Sequence, residues 1–290
     1  MTNKEKSAIL SGNFENIFRC PYCENPMKVT DSTSLKCSNN HTFDFAKQGY
    51  INMMTRSVNS HYDKSLFEAR KKIIMESDLY DLLHEKVSEG MNKYVNEDHD
   101  SIMIFDAGCG EGSHLHRILQ RSENDKMQGV GLDIAKEGIM MGAKNYRECI
   151  WLVGDLAQSP LANQSCHVIL NILSPANYLD FKRILVPNGL VVKVVPRANY
   201  LKELREILFD QTDKQSYRND ETVNLFKENF HLIDKLTLNY QKQLSQSELM
   251  NLVQMSPLAW NANEESIVPL LNQGSAQITI DLEILIGRKI

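Results

Sequence analysis

Between Ile102 and Gly112 the chain reads IMIFDAGCGEG: an apolar run closed by Asp106, then Gly108, Gly110 and Gly112 at alternate positions with Glu111 among them. Glycines let the backbone turn sharply and approach a ligand with no Cβ in the way. Such a loop suits nucleotide binding, but the spacing is not the G-x-G-x-x-G of dinucleotide sites. Glu111 would repel a phosphate, and no Lys-Ser/Thr pair follows. A ligand carrying positive charge fits better. A second constellation lies upstream, where Cys20-Pro-Tyr-Cys23 and Cys37-Ser-Asn-Asn-His41 give C-x2-C-x13-C-x3-H. Two such knuckles set four soft donors at the corners of a tetrahedron, as a closed structural zinc site requires. A redox C-x-x-C would open a helix in a βαβ unit and would not need Cys37 and His41.

The elements that must position these residues follow from the apolar pattern. Ile102–Phe105 is a buried parallel strand, and a helix starts near Ser113. Gln128–Ile134 is a second strand, with Asp133 placed to accept from two ribose hydroxyls. Ile150–Val153 is a third, followed by Asp155, where the methyltransferase layout has a carboxylate beside the adenine amine. S-adenosylmethionine has a sulfonium, an ammonium and no phosphate, and D-x-G-C-G-E-G resembles motif I of the class I methyltransferases. The alternative is a glycine-rich turn of some other α/β protein. A fourth strand, His167–Leu173, is followed by Ser174-Pro175. Amino methyltransferases that grip an exocyclic amine carry an Asn or Asp-Pro-Pro-aromatic motif here, and Asn171 stands two residues too early for it. The acceptor is therefore not expected to be a base amine held in that way. Leu190–Val195 is the fifth strand, a helix begins in Pro196–Leu208, and 210–240 holds a sixth strand. Ala276–Ile286 alternates as an antiparallel strand does. The expected fold is α/β and Rossmann-like: a mostly parallel seven-stranded sheet with a small N-terminal zinc-binding β module.

With 290 residues there is room for one large and one small domain. The expected boundaries are 1–52 for the zinc module, 53–98 for a linking loop and helices, and 99–290 for the catalytic domain. A helix from Ser65 to Tyr94 should break near Ser77-Asp78. Apolar residues make up 42% of the chain, and no run approaches the ~20 of a membrane span. MTNKEKSAIL is too polar for a signal peptide. The expectation is a cytoplasmic protein with free or metal-bound thiols. Cys109, Cys149 and Cys166 occur singly and read as small apolar residues. The net charge is −5, yet residues 1–72 hold eleven Lys/Arg against seven Asp/Glu, a net of +4. That asymmetry fits a polyanion partner or a solvated face. The basic candidates are Arg56, Lys64, Arg70, Lys71 and Lys72, around a Met53–Lys64 stretch that reads as a binding loop.

CPYC, CxxxH, FDFAKQGYIN, the EARKKI helix with Tyr80 after it, D-x-G-C-G-E-G, G-L-D, LxPNG and MSPLAW together resemble the RlmA/RrmA family of 23S rRNA (guanine-N1)-methyltransferases, nearly end to end. The resemblance implies methyl transfer from S-adenosylmethionine to N1 of a guanine in the hairpin 35 region of domain II, as in Gram-positive members linked to tylosin resistance. It implies one structural zinc on Cys20, Cys23, Cys37 and His41, and cofactor contacts at Tyr80, Gly110, Glu111 and Gly112. Tyr200 replaces a histidine of the family at the methionine end. Asp106, Gly108, Asp133 and Asp155 come from the general class I layout. It also implies an rRNA hairpin as partner and a homodimer. The family's G-D-S loop is replaced by His61-Tyr62-Asp63, and His61 and Asp63 are candidates for removing the N1 proton. A small-molecule methyltransferase with a zinc cap, or a non-catalytic rRNA-binding protein, are the rival readings.

Overall fold

The computed structural model describes residues 1–56, 62–96, 98–208, 218–259 and 264–289. Its centre is strand β5 (Ile102–Ala107), buried at every position. That burial explains the unbroken apolar run, since a strand covered on both faces has no solvent side to alternate with. β5 lies between β6 (Met127–Asp133) and β8 (Cys166–Ile172), both parallel to it. β7 (Ile150–Val153) extends the sheet beyond β6, and β9 (Leu185–Pro196) extends it beyond β8. β11 (Ser275–Arg288) runs antiparallel to β9, and β10 (His231–Ser245) antiparallel to β11. These are the seven expected strands.

An eighth is added at the β7 edge by β4 (Tyr50–Asn52), parallel to β7 in the register Tyr50↔Trp151 to Asn52↔Val153. The aromatic stretch after the zinc ligands thus divides. Strand β3 (Thr42–Asp44) closes a three-stranded sheet with β1 (Met27–Thr30) and β2 (Ser34–Cys37), while β4 leaves for the main sheet. The order of connection reverses between β5 and β8. In open α/β sheets that is where ligands bind, above the carboxyl ends.

Helices α2 (Lys64–Glu76), α3 (Asp81–Tyr94), α4 (Ser113–Arg121) and α5 (Lys136–Asn145) pack on one face of the sheet. The other face receives α6 (Tyr178–Ile184), α8 (Asp220–Asn229) and the zinc ribbon. Phe18, Leu35, Phe43 and Phe45 of the ribbon belong to the same apolar core as Phe105 and Ile150. Backbone bonds join the two parts as well: Arg19 N–H donates to Pro160 at 3.0 Å and Ala162 N–H to Ile17 at 2.7 Å. Helix α1 (Asn3–Asn13), which the apolar pattern does not announce, starts with a capping box between Thr2 and Glu5. Helix α7 (Lys202–Leu208) follows β9. Among the described residues, no helix is long and apolar enough to cross a membrane.

Candidate cofactor site and metal centre

Asp106 closes β5 at 2% exposure, and the loop to α4 turns over it. Two glycines make that turn possible. Gly112 has φ +82°, and a Cβ there would stand 2.1 Å from the Trp151 ring. Gly110 has φ +60°, and a Cβ would meet the Arg70 guanidinium at 2.8 Å. Asp133, at the end of β6, accepts from Gly110 N–H and from Ala135 N–H, each at 2.8 Å. The second-strand carboxylate therefore shapes the glycine loop.

Glu111 is fully buried and its Oε2 pairs with Arg70. Its other oxygen, Oε1, and Asp106 Oδ2 are buried with no hydrogen-bond partner among the described residues. Unpartnered buried carboxylate oxygens are costly. Burial, reinforced by Asp133 and Glu111 against Arg70, lifts Asp106 to about 7. Asp106, Glu111 and Asp133 thus face one buried cation, Arg70, and two of their oxygens await a donor. The set fits a positively charged ligand such as the sulfonium and ammonium of S-adenosylmethionine.

Tyr80, the residue before α3, and Tyr200 meet at their hydroxyls, 2.7 Å apart and buried. The Tyr80 ring stands edge-on to His114 of α4, centroids 5.3 Å apart. His114 Nδ1 shares a proton with His84 Nε2 across 2.8 Å. Burial holds His84 at about 3 and His114 well below the usual range, so both are neutral near pH 7. Asp155, after β7, accepts from Ala157 N–H at 2.8 Å and pairs with exposed Arg56 at 3.3 Å. The glycine loop, Asp106, Asp133 and Asp155 therefore lie along the carboxyl ends of β5, β6 and β7, whereas Tyr80 precedes α3 and Tyr200 follows β9.

Two expected residues are placed differently. Arg70 is expected beside Lys71 and Lys72 in an RNA-facing cluster, but its side chain is 17% exposed and turned into the glycine loop. The signal is its phase: Leu66, Phe67, Arg70, Ile73 and Ile74 share the apolar stripe of α2. Glu111 is consequently neutralised from within the chain. Asp63 caps α2, accepting from Leu66 N–H at 2.8 Å, a bond that with Ser65 holds its carboxyl below the usual range. That makes it a poorer base. His61 lies outside the described residues. Lys71 donates to Asn145 at 3.1 Å and Lys64 pairs with Glu68 at 2.9 Å, both lining a groove between α2 and α5 together with Lys72 and Lys144. Composition does not point to Lys193, whose side chain is buried in the sheet beside Asn171.

Cys20, Cys23, Cys37 and His41 bring their ligand atoms within 4.8 Å of one another. Sγ of Cys20 lies 3.4 Å from His41 Nδ1, Sγ of Cys37 3.5 Å from it, and the Cys23 and Cys37 sulfurs are 3.6 Å apart. A tetrahedron with Zn–S about 2.3 Å and Zn–N about 2.0 Å has edges of roughly 3.5–3.8 Å. These three separations match such edges, and the four donors suit a structural zinc.

Residues 18–57 match the family model described as RlmA, N-terminal, a zinc ribbon. The chain is 38% identical over 94% of its length to Bacillus subtilis YxjB, a protein named for 23S rRNA (guanine-N1)-methyltransferase activity, and spans 98% of it. It is 25% identical to the 23S rRNA (guanine(748)-N(1))-methyltransferase of Streptomyces fradiae, over 95% of this chain and 98% of that one. Among solved structures, a SAM-dependent methyltransferase from Aquifex aeolicus superposes with a TM-score of 0.49 at 12% identity, covering 79% of this chain and 100% of that one.

Proposed function

The chain belongs to the family of 23S rRNA (guanine-N1)-methyltransferases, and on that footing we propose that it methylates N1 of a guanine in the hairpin 35 loop of domain II. One observation carries the donor half of the reading. A glycine loop with two buried, unpartnered carboxylate oxygens lies at the strand-order reversal, beside an embedded arginine.

S-adenosylmethionine, when bound, supplies a methyl group on a cationic sulfur. Asp106, and Glu111 through its unpartnered Oε1, would face its positive charge, while Arg70 stays paired with Glu111 Oε2. Gly108, Gly110 and Gly112 let the backbone come close. Asp133 and Asp155 offer acceptors to the ribose and the adenine amine, while Tyr80 and Tyr200 wall the methionine end. Neutral guanine carries a proton on N1, which passes to solvent or to a side chain such as His61 at or before transfer. The protein's remaining task is alignment, with reacting atoms about 3–3.5 Å apart. That requires an unstacked loop base, which is how sequence-specific RNA readers take bases. The zinc ribbon, with Arg56, Lys64, Lys71 and Lys72, grips the hairpin backbone. The reading extends to the cytoplasm, where ribosomal RNA is met, and to a pair of chains acting together, which sedimentation of the RNA-bound enzyme checks.

The test is transfer of a tritiated methyl from S-adenosylmethionine to a hairpin 35 transcript, with the product nucleoside identified by mass spectrometry. N1-methylguanine in the loop is expected. Label entering only a metabolite mixture would establish a small-molecule enzyme instead. Binding of cofactor and hairpin without transfer would establish a non-catalytic protein.

A further inference from the structure

Asn171 and Lys193 are directly opposite one another on the parallel strands β8 and β9. Both are buried, Lys193 at 4% exposure, and no carboxylate pairs with Lys193 among the described residues. Its Nζ donates to Asn171 Oδ1 and, at 3.5 Å, to the Ser174 carbonyl. The amide is thereby oriented: its oxygen faces the lysine and its nitrogen faces the chain beyond β8. Asn171 Nδ2 donates to Ser174 Oγ at 2.6 Å, to the Pro175 carbonyl at 2.9 Å and to the Ala107 carbonyl at 3.3 Å. Ser174 Oγ in turn donates to the Ala107 carbonyl at 2.7 Å.

The segment so held, 173–177, begins with Leu173 at φ +53°, a left-handed backbone that an L side chain adopts only under constraint. It presses on the glycine loop, for a Cβ at Gly108 would lie 2.9 Å from Ser174 Cβ. At its far end the Asn177 amide donates to the carbonyls of Leu156 at 3.2 Å and Ala157 at 2.9 Å. Beyond it opens a shallow apolar shelf formed by Leu156, Pro175, Ala176 and Leu179, the last 82% exposed. One side of the turn therefore touches the donor loop, and the other faces solvent at the catalytic rim.

We propose that Lys193, acting through Asn171, is a positioning residue for the acceptor: it fixes the 173–177 turn as the rest on which the target guanine sits beside Gly108. The proposal depends on the guanine-N1 reading above. Asn171 cannot clasp the base, because its hydrogen-bonding capacity is spent on Lys193 and the backbone. It holds the platform instead, which explains an asparagine two residues ahead of the place where an amine-gripping residue would stand.

The experiment compares wild type with Lys193→Met, Lys193→Arg and Ser174→Ala as zinc-loaded full chains. It measures kcat and KM on the hairpin transcript, S-adenosylmethionine Kd by calorimetry, and Tm. For Lys193→Met, kcat is expected to fall roughly 30-fold, the scale of a sub-ångström to ångström misplacement, with cofactor Kd held and Tm lowered only modestly by the unpartnered Asn171 oxygen. Lys193→Arg should recover part of the rate, and Ser174→Ala should lose kcat with the cofactor Kd unchanged. A Lys193→Met rate matching wild type overturns the proposal, as does a loss that follows a fall in cofactor affinity, or one that vanishes when the assay is run well below the variant's Tm. If Lys193→Met fails to fold, Ser174→Ala decides: an unchanged kcat overturns the proposal. A wild-type enzyme that transfers no methyl to the RNA removes the activity reading and this proposal together. Active wild type with equally active variants removes this proposal alone.

Discussion

Gly112 shows how tightly single residues are constrained at the donor loop. Its positive φ and the Trp151 ring 2.1 Å from any Cβ leave no room for alanine. Gly112→Ala should cost about 3 kcal/mol in denaturant unfolding, at the upper end of overpacking penalties, and should weaken cofactor binding. Asp106 carries a pH signature. The native carboxyl keeps its proton up to about 7, whereas in the unfolded chain it loses it near 3.8. Between those values the native state binds more protons, so this group's contribution to stability falls as pH rises. A cationic ligand favours the ionised form, so binding it expels the proton. S-adenosylmethionine affinity should therefore rise from pH 6 to pH 8, by up to about tenfold per unit below the native pKa, and Asp106→Asn should flatten the profile in calorimetry. Asp106, Glu111 and Asp133 are legible because motif spacing alone reports them. Arg70 is not, because its neighbours in sequence, Lys71 and Lys72, are surface lysines and only helical phase separates it from them. Lys193 is hidden for a related reason: a lysine inside a β-branched run gives no sign of the asparagine it meets on the next strand.

At the scale of elements, the central strands are readable because double burial leaves continuous apolar runs, and the helix break at Ser77-Asp78 because turn residues interrupt the period. β4 is not readable as part of the main sheet. Its three residues carry no period of their own, and pairing with β7 is set one hundred residues away in sequence. The α1 capping box is present in Thr2 and Glu5 but stands before no clear apolar stripe. The zinc ribbon's ligands are fully legible, whereas its attachment is not. Because its aromatics share a core with Phe105 and Ile150, metal loss should be felt beyond the ribbon. Cys23→Ser is expected to take bound zinc from one per chain to none by atomic absorption, and to lower the Tm of one cooperative transition. A separate low-temperature transition in calorimetry, with the main one unmoved, would count against this coupling.

Over the whole molecule, the positive excess of residues 1–72 against a net −5 fits a polyanion partner or a solvated face and does not say which cations would meet a polyanion. The structure withdraws Arg70 from the surface and leaves Lys64, Lys71 and Lys72 beside Lys144 in the α2–α5 groove. Replacing Lys71 and Lys72 together by Ala should weaken hairpin binding at every salt concentration. The slope of log K against log salt should become shallower by about 0.7–0.9 for each phosphate that is no longer neutralised. Cofactor affinity should not change, and an unaltered slope would place the RNA elsewhere. Under the proposed function, in which the ribbon grips the hairpin, its attachment bears on target choice. Ile51 bridges back to Phe45 of the ribbon, and Met53 N–H donates to Val153 at 2.8 Å, two residues before Asp155. Backbone pairing thus runs without a hinge from the metal ribbon to the rim where chemistry occurs. The arrangement works as a fixed gauge: lengthening the stem by one base pair should move methylation to a different nucleotide or abolish it, because the span from grip to reaction cannot stretch.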